Sequence, residues 1–183
     1  IPTDDLIIEL NNLREGEGLI SNDVVIGFRY CDFNLEKINF IKSNANILML
    51  EKMVDLFYKM NVQVKNDFEL LTKGKESEKI DDSNTLIGNN IFIEKGAKIS
   101  SSILNSETGP IYIGKNAEIM EGSIIRGPFS LCENSVVKMG AKIYGPTSIG
   151  PNCKVGGEIN NSVFFSFSSK AHDGFLGNSI IGE

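Results

Sequence analysis

The chain's one histidine, His172, is the residue best suited to proton transfer near neutral pH. It lies in Ser169-Lys-Ala-His-Asp-Gly-Phe175, between two further charges, Lys170 and Asp173. An imidazole there can act as a general base, deprotonating an amine or hydroxyl as it attacks an acyl thioester. The plainer reading is a solvated turn histidine. Lys170 and Asp173 can hold a phosphate or orient the imidazole, or simply stand in water. Arg126 and Tyr144 are eighteen residues apart, a spacing that suits a surface cation–π contact or one wall of a ligand groove. A lone histidine argues against a multi-histidine zinc site within the chain. Cys31, Cys132 and Cys153 are odd in number, far apart and without C-x-x-C spacing, so they predict free thiols and a reducing, cytoplasmic setting. Of these, Cys132 should point outward and Cys153 should be inert core.

The elements that would position these groups are written in a six-residue period. Aliphatic residues fall at Ile87, Ile93 and Ile99. After a two-residue slip over 106–110 they resume at Ile113, Ile119, Ile125, Leu131, Val137, Ile143, Ile149 and Val155. Four residues after most of them stands a small residue: Ala97, Ala117, Ser123, Ser135, Ala141, Thr147 or Cys153. Ile91, Ile103, Phe129 and Ile159 are larger exceptions. Six residues suit one short strand and a turn, and three such units close a coil of eighteen. The aliphatic side chain points inward, the small one fits a corner, and stacked coils bury each other's strand edges. The phase is lost after Val155, with Asn161 at an expected aliphatic site. His172 therefore falls on an irregular rung, where function tends to be placed. Phe129, Phe164, Phe165, Phe167 and Phe175 gather around it, as core packing or as a subunit interface.

Of 18 glycines, 14 lie from Asp81 onward, and the grammar changes near residue 80. Residues 1–80 read as mixed α/β. A helix capped by Asp4 or Asp5 runs to Asn12, a strand covers 23–30, and a second helix spans Asn46 to about Lys59. A short helix at 67–71 precedes a charged linker from Lys73 to Asp82. No Gly-rich phosphate loop occurs there. The 183 residues carry net charge −6 without a basic cluster, which speaks against nucleic acid as a partner. No apolar run is long enough to span a membrane. Ile1 in place of Met, and a pattern restarting at Ile181-Gly182, suggest a fragment of a longer protein.

The hexads Ile113-Gly-Lys-Asn-Ala-Glu-Ile119 and Ile143-Tyr-Gly-Pro-Thr-Ser-Ile149 resemble the hexapeptide-repeat transferases. The phrase Ser169-Lys-Ala-His172…Leu176-Gly-Asn-Ser-Ile-Ile-Gly182 is more specific. It resembles the bifunctional sugar-1-phosphate enzymes that join a nucleotidyltransferase to a β-helix acetyltransferase. The type is N-acetylglucosamine-1-phosphate uridyltransferase/glucosamine-1-phosphate acetyltransferase. The stretches 67–74, 109–114 and 120–128 are similar to its Bacteroidetes-type variant. The resemblance implies a mainly β fold: a left-handed parallel β-helix of hexapeptide repeats over 81–183, truncated at its C-terminal end. Residues 1–80 would be the end of an α/β nucleotidyltransferase domain plus linker. It further implies a cytoplasmic homotrimer acting on a sugar phosphate and acyl-CoA. Acetyl-CoA would be the acyl donor, and Mg2+ and a nucleoside triphosphate would serve the domain preceding Ile1. By the same resemblance His172 is the catalytic base, and Tyr144, Asn160, Lys170 and Phe175 fall at substrate contacts. Three of these depart from the type: Tyr144 replaces an arginine, Asn160 a lysine and Phe175 a tyrosine. Those departures keep a second reading open, in which the β-helix only trimerises or regulates an upstream nucleotidyltransferase.

Overall fold

A computed structural model describes residues 3–30 and 37–182. Cys31, Ile1 and Glu183 lie outside the described residues. Two compact units divide between Leu50 and Glu51, so the division in space does not coincide with the change of grammar near residue 80.

In the first unit, α1 (Asp4–Asn11) is capped by Thr3, whose hydroxyl accepts the Leu6 amide at 3.3 Å, rather than by Asp4 or Asp5. Leu6, Leu13 and Leu19 form a small core. Around it β1 (Glu17–Ser21) pairs antiparallel with β2 (Val24–Arg29) and parallel with β3 (Asn39–Lys42). The expected strand over 23–30 is β2. The helix expected over 46–59 is reduced to a single turn, α2 (Asp55–Tyr58). The reason is local. The Asp55 carboxylate accepts the amides of Glu51 and Lys52 at 2.7 and 3.0 Å, which also holds its pKa below the usual carboxylate value. Leu48, Leu50, Met53 and Val54 are left exposed. The short helix expected at 67–71 is the end of a longer one, α3 (Met60–Thr72), which buries Met60 and Val64.

From Thr85 the second unit is built of short strands in three parallel sheets, an arrangement compatible with a parallel β-helix. The first sheet stacks β4 (Thr85–Ile87), β7 (Ile103–Asn105), β10 (Ile124–Arg126), β13 (Lys142–Tyr144), β16 (Glu158–Asn160) and β19 (Phe175–Gly177). The second stacks β5 (Ile91–Ile93), β8 (Ile111–Ile113), β11 (Phe129–Leu131), β14 (Thr147–Ile149), β17 (Val163–Phe164) and β20 (Ile180–Ile181). The third stacks β6 (Lys98–Ile99), β9 (Glu118–Ile119), β12 (Val136–Val137), β15 (Lys154–Val155) and β18 (Ser169–Lys170). The chain visits the sheets in turn, so each strand pairs with the one a full circuit away.

Register gives the circuit length. Ile125 lies against Ile143, and Leu131 against Ile149, eighteen residues on in each case. Ile93 pairs with Ile113, twenty residues on, so the two-residue slip sits at the corner between β7 and β8. Ile113, Ile119, Ile125, Leu131, Val137, Ile149 and Val155 are wholly buried, as are the small Ala117, Ser123, Ser135, Ala141 and Thr147. The phase at the start of the pattern differs from the expectation. Leu86 aligns with the core residue Leu104, whereas Ile87 aligns with the outward column of Asn105 and Arg126. The charged segment before β4 is partly recruited too. Ile93 donates its amide to Ser77 Oγ at 2.9 Å, Glu78 donates its own to the Ile93 carbonyl, and Ile80 packs on the core. This occupies part of a strand edge that would otherwise stay bare.

Asn116, Asn134 and Asn152 turn the corner between the second and third sheets in the left-handed region, at φ 56°, 56° and 57°. Asparagine tolerates that conformation, and most other residues do so at a cost of about 1–2 kcal/mol. In the next circuit Phe167 stands there at φ 62°, 68% exposed. Phe167→Asn is therefore expected to stabilise the chain by about 1 kcal/mol. Urea denaturation checks this, and an unchanged or lower midpoint would contradict it.

Candidate functional site

The circuit after Val155 is short. Val155 pairs with Lys170, fifteen residues on, and Ile143 with Ile159, sixteen on. The circuit saves residues at its corners. Gly156 and Gly157 turn the first, with Gly157 at φ 73°, and Asn161 turns the next at φ 45°. Ile159, not Asn161, fills the core position. The irregular rung expected from the sequence is thus a tightened one.

Lys170 takes a core column in this rung, in register above Val137 and Val155. A lysine survives in such a column only if its ammonium finds acceptors. Nζ donates to the carbonyls of Gly156, His172 and Gly174 at 2.7, 2.8 and 2.6 Å. An ammonium has three hydrogens, so all are committed to backbone, and Lys170 as placed has none left for a phosphate. A Cβ on Gly157 would meet Nζ at 2.5 Å and the Gly174 and His172 carbonyls at 2.8 and 2.9 Å, so glycine leaves room for the ammonium. Lys170 thereby fixes the backbone of the 171–174 bend from inside. His172, on that bend, is exposed and makes no side-chain hydrogen bond among the described residues. Lys170→Met keeps the apolar stem and removes the three bonds. It should cost roughly 1–3 kcal/mol and make 171–174 newly susceptible to limited proteolysis. An equally resistant variant would contradict the clamp.

The other expected substrate contacts share the outward face of the first sheet. Tyr144 pairs with Asn160, which pairs with Gly177, and Phe175 pairs with Glu158 one column away. Tyr144 donates its hydroxyl to Glu158 Oε1 at 2.6 Å, which holds the phenol above its ordinary pKa. Phe175 is 66% exposed. The structure therefore brings Tyr144, Asn160 and Phe175 together on one face and sets His172 on the bend that leads into it. Arg126 and Tyr144 occupy successive strands of that face without a cation–π contact among the described residues. The aromatic tract divides cleanly: Phe129 and Phe164 are core, whereas Phe165, Phe167 and Phe175 are exposed.

The thiols follow their environments. Cys153 is buried, and its Sγ donates to the Phe165 carbonyl at 3.0 Å. Burial, reinforced by Cys153 and Glu133, pushes the Cys132 thiol up to about 11. Its thiolate is then scarce at pH 8. In a Cys31→Ser variant, Cys132 should react with a disulfide reagent roughly a hundredfold more slowly than a free cysteine. Reaction at the free rate would contradict this.

Sequence reasoning missed Asn61, Lys65 and Thr108, which line a groove with Arg126 and Tyr144. One signal was present in the sequence. Gly109-Pro110, Gly127-Pro128 and Gly145-Pro146 recur every eighteen residues, which marks one corner as free of bulky side chains. Among the described residues no three His, Cys, Asp or Glu side chains are grouped together. Among the described residues no helix is long and apolar enough to cross a membrane.

The fold and site define a mainly β protein of three stacked parallel sheets with one tightened, histidine-bearing rung. Neither a scan against protein-family models nor a search of curated proteins finds a match for the chain.

Proposed function

We propose that the chain belongs to a cytoplasmic transferase of nucleotide-sugar synthesis, in which a left-handed β-helix of hexapeptide repeats passes an acyl group from acyl-CoA to a sugar phosphate. One observation carries this reading. Lys170 donates to the His172 and Gly174 carbonyls of the bend on which His172 is exposed, and ties that bend to the Gly156 corner with its third bond. A merely solvated histidine needs no such support, whereas a general base must be held in place. In the reaction, His172 accepts the proton of an acceptor amine or hydroxyl. The acceptor's lone pair attacks the thioester carbonyl, the C–S bond breaks, and the departing CoA thiolate takes the proton from the His172 imidazolium, leaving as the thiol and restoring the base. Acetyl-CoA is the expected donor. Asn160, Tyr144 and Phe175 flank the approach, and Lys170 acts through the backbone rather than on substrate. Nucleotidyl transfer with Mg2+ and a nucleoside triphosphate would belong to a preceding domain.

The homotrimer is part of the same reading. The exposed Phe165 and Phe175 suit burial against another copy. Light scattering should return three times the 20.1 kDa chain mass, and a monodisperse monomer would contradict it.

A second reading, a non-catalytic trimerising module beside an upstream nucleotidyltransferase, has its own support. Two of the expected substrate contacts, Tyr144 and Lys170, are turned to partners within the chain. Thiol release from acetyl-CoA by the full-length protein, across a panel of amino-sugar phosphates, separates the two. Turnover with any acceptor supports acyl transfer, and none with any acceptor supports the module.

A further inference from the structure

The helix α3 packs against β14 of the second sheet, next to the corner where the three Gly-Pro pairs stack. That corner is thin by necessity. A Cβ on Gly127 would run into the Gly109 carbonyl, and one on Gly109 into the Pro128 ring. Between the helix and the thinned corner lies a groove of about 580 Å³, within the range of small-molecule sites. Asn61 and Lys65, one turn apart on the same helix face, form one wall. Thr108, Arg126 and Tyr144, each the residue just before a Gly-Pro pair, form the other. Pro128 and Pro146 add apolar surface.

The charge in this groove is one-sided. Lys65 and Arg126 are cations from different elements, no acidic side chain lines the groove, and neither cation is in an ion pair among the described residues. A smaller adjoining cavity of about 290 Å³ shares Lys65 and Thr108 but carries Glu69 and Glu107. An anion is therefore drawn to the Arg126 end and repelled from the other. Tyr144 is held at its hydroxyl by Glu158, so its ring is fixed before any ligand arrives.

We infer that this groove binds an organic phosphate monoester, with the phosphoryl group between Lys65 and Arg126 and the organic body over Tyr144, Pro128 and Pro146. A guanidinium and an ammonium are the usual phosphate partners, and the apolar wall sets an ester apart from free phosphate. The site shares Tyr144 with the proposed acceptor approach but uses neither His172 nor an acyl donor, so ester binding that survives in a chain without thiol release supports this site and not acyl transfer.

The test is calorimetric titration of the full chain at low salt with four probes: adenosine 5′-monophosphate, a hexose phosphate, adenosine and inorganic phosphate. At least one ester should bind with a dissociation constant below about 1 mM, and at least tenfold tighter than both adenosine and inorganic phosphate. Arg126→Ala and Lys65→Ala should each weaken it about tenfold or more. Lys98→Ala, an exposed lysine on the third sheet, should leave it unchanged. Both variants remove exposed side chains, so circular dichroism should match the parent. Comparing the two esters shows whether the body is a flat base or a sugar. No ester binding below about 1 mM, equal binding of inorganic phosphate, or unchanged affinity in both variants would each overturn the proposal.

Discussion

Phe129→Ala is expected to cost about 3–5 kcal/mol, among the largest effects of any single substitution in the chain. Its column holds Ile111 below and Thr147 above, so a full aromatic ring stands where the next circuit carries a threonine. The ring is wholly buried. Its removal opens a cavity walled on both sides by neighbouring strands, and strands tied into parallel ladders collapse poorly onto a void. Each circuit is supported mainly by the circuits next to it, so the damage should spread from this rung. Hydrogen exchange should show loss of protection centred on β8, β11 and β14. Ser130→Ala on the same strand, which loses one hydroxyl contact to Ser148 at 2.8 Å, is the control and should cost about 1 kcal/mol. Equal losses for the two variants would contradict the core assignment.

Gly127→Ala tests the Gly-Pro corner from the opposite direction, by adding one carbon. The new Cβ would collide with the Gly109 carbonyl and lie 2.8 Å from that of Pro110. Both are backbone, so neither can rotate away, and relief requires separating two circuits at their corner. That separation stretches two bonds: Gly127 N–H to the Asn105 carbonyl, at 2.9 Å, and Thr108 Oγ1 to the Gly127 carbonyl, at 2.5 Å. A loss of about 3 kcal/mol follows from overpacking of this kind. Gly140→Ala, whose Cβ would have nothing within 4 Å but whose φ is 70°, separates crowding from backbone strain and should cost about 1 kcal/mol. Denaturant midpoints of the two decide it. A Gly127 variant no worse than the Gly140 variant would mean the corner is looser than described.

What the sequence reveals and hides follows from the reach of each signal. The core of the stacked sheets was legible because inward positions repeat at a fixed step. From Ile113 to Val155 the aliphatic sites are the buried ones. The pattern misleads at its start, where Leu86 and Ile87 are both aliphatic and only pairing with Leu104 decides which faces inward. It also misleads after Val155, where a glycine pair shortens a corner and shifts every later position. The charge of Lys170 alone leaves it open as a phosphate ligand, a support for the imidazole or a solvated side chain. Its column, invisible once the phase is lost, makes it a clamp on the bend that carries His172. The helix expected over 46–59 had the right apolar spacing, but Asp55 binds the amides ahead of it and only one turn forms. The groove on α3 could not be read from periodicity, because Lys65 and Arg126 meet only through tertiary packing. The stacked Gly-Pro pairs that make room for it were visible and have a plain steric meaning.

His172, on a bend clamped by Lys170, is proposed to act as a general base for acyl transfer. The most direct measurement is thiol release from acetyl-CoA by the full-length protein and its His172→Ala variant, with the acceptor that turns over fastest. Removal of a general base should lower the rate about a hundredfold or more with the fold intact. Equal rates in the two proteins, or no thiol release from the parent with any acceptor, would contradict the claim and leave His172 a solvated turn residue.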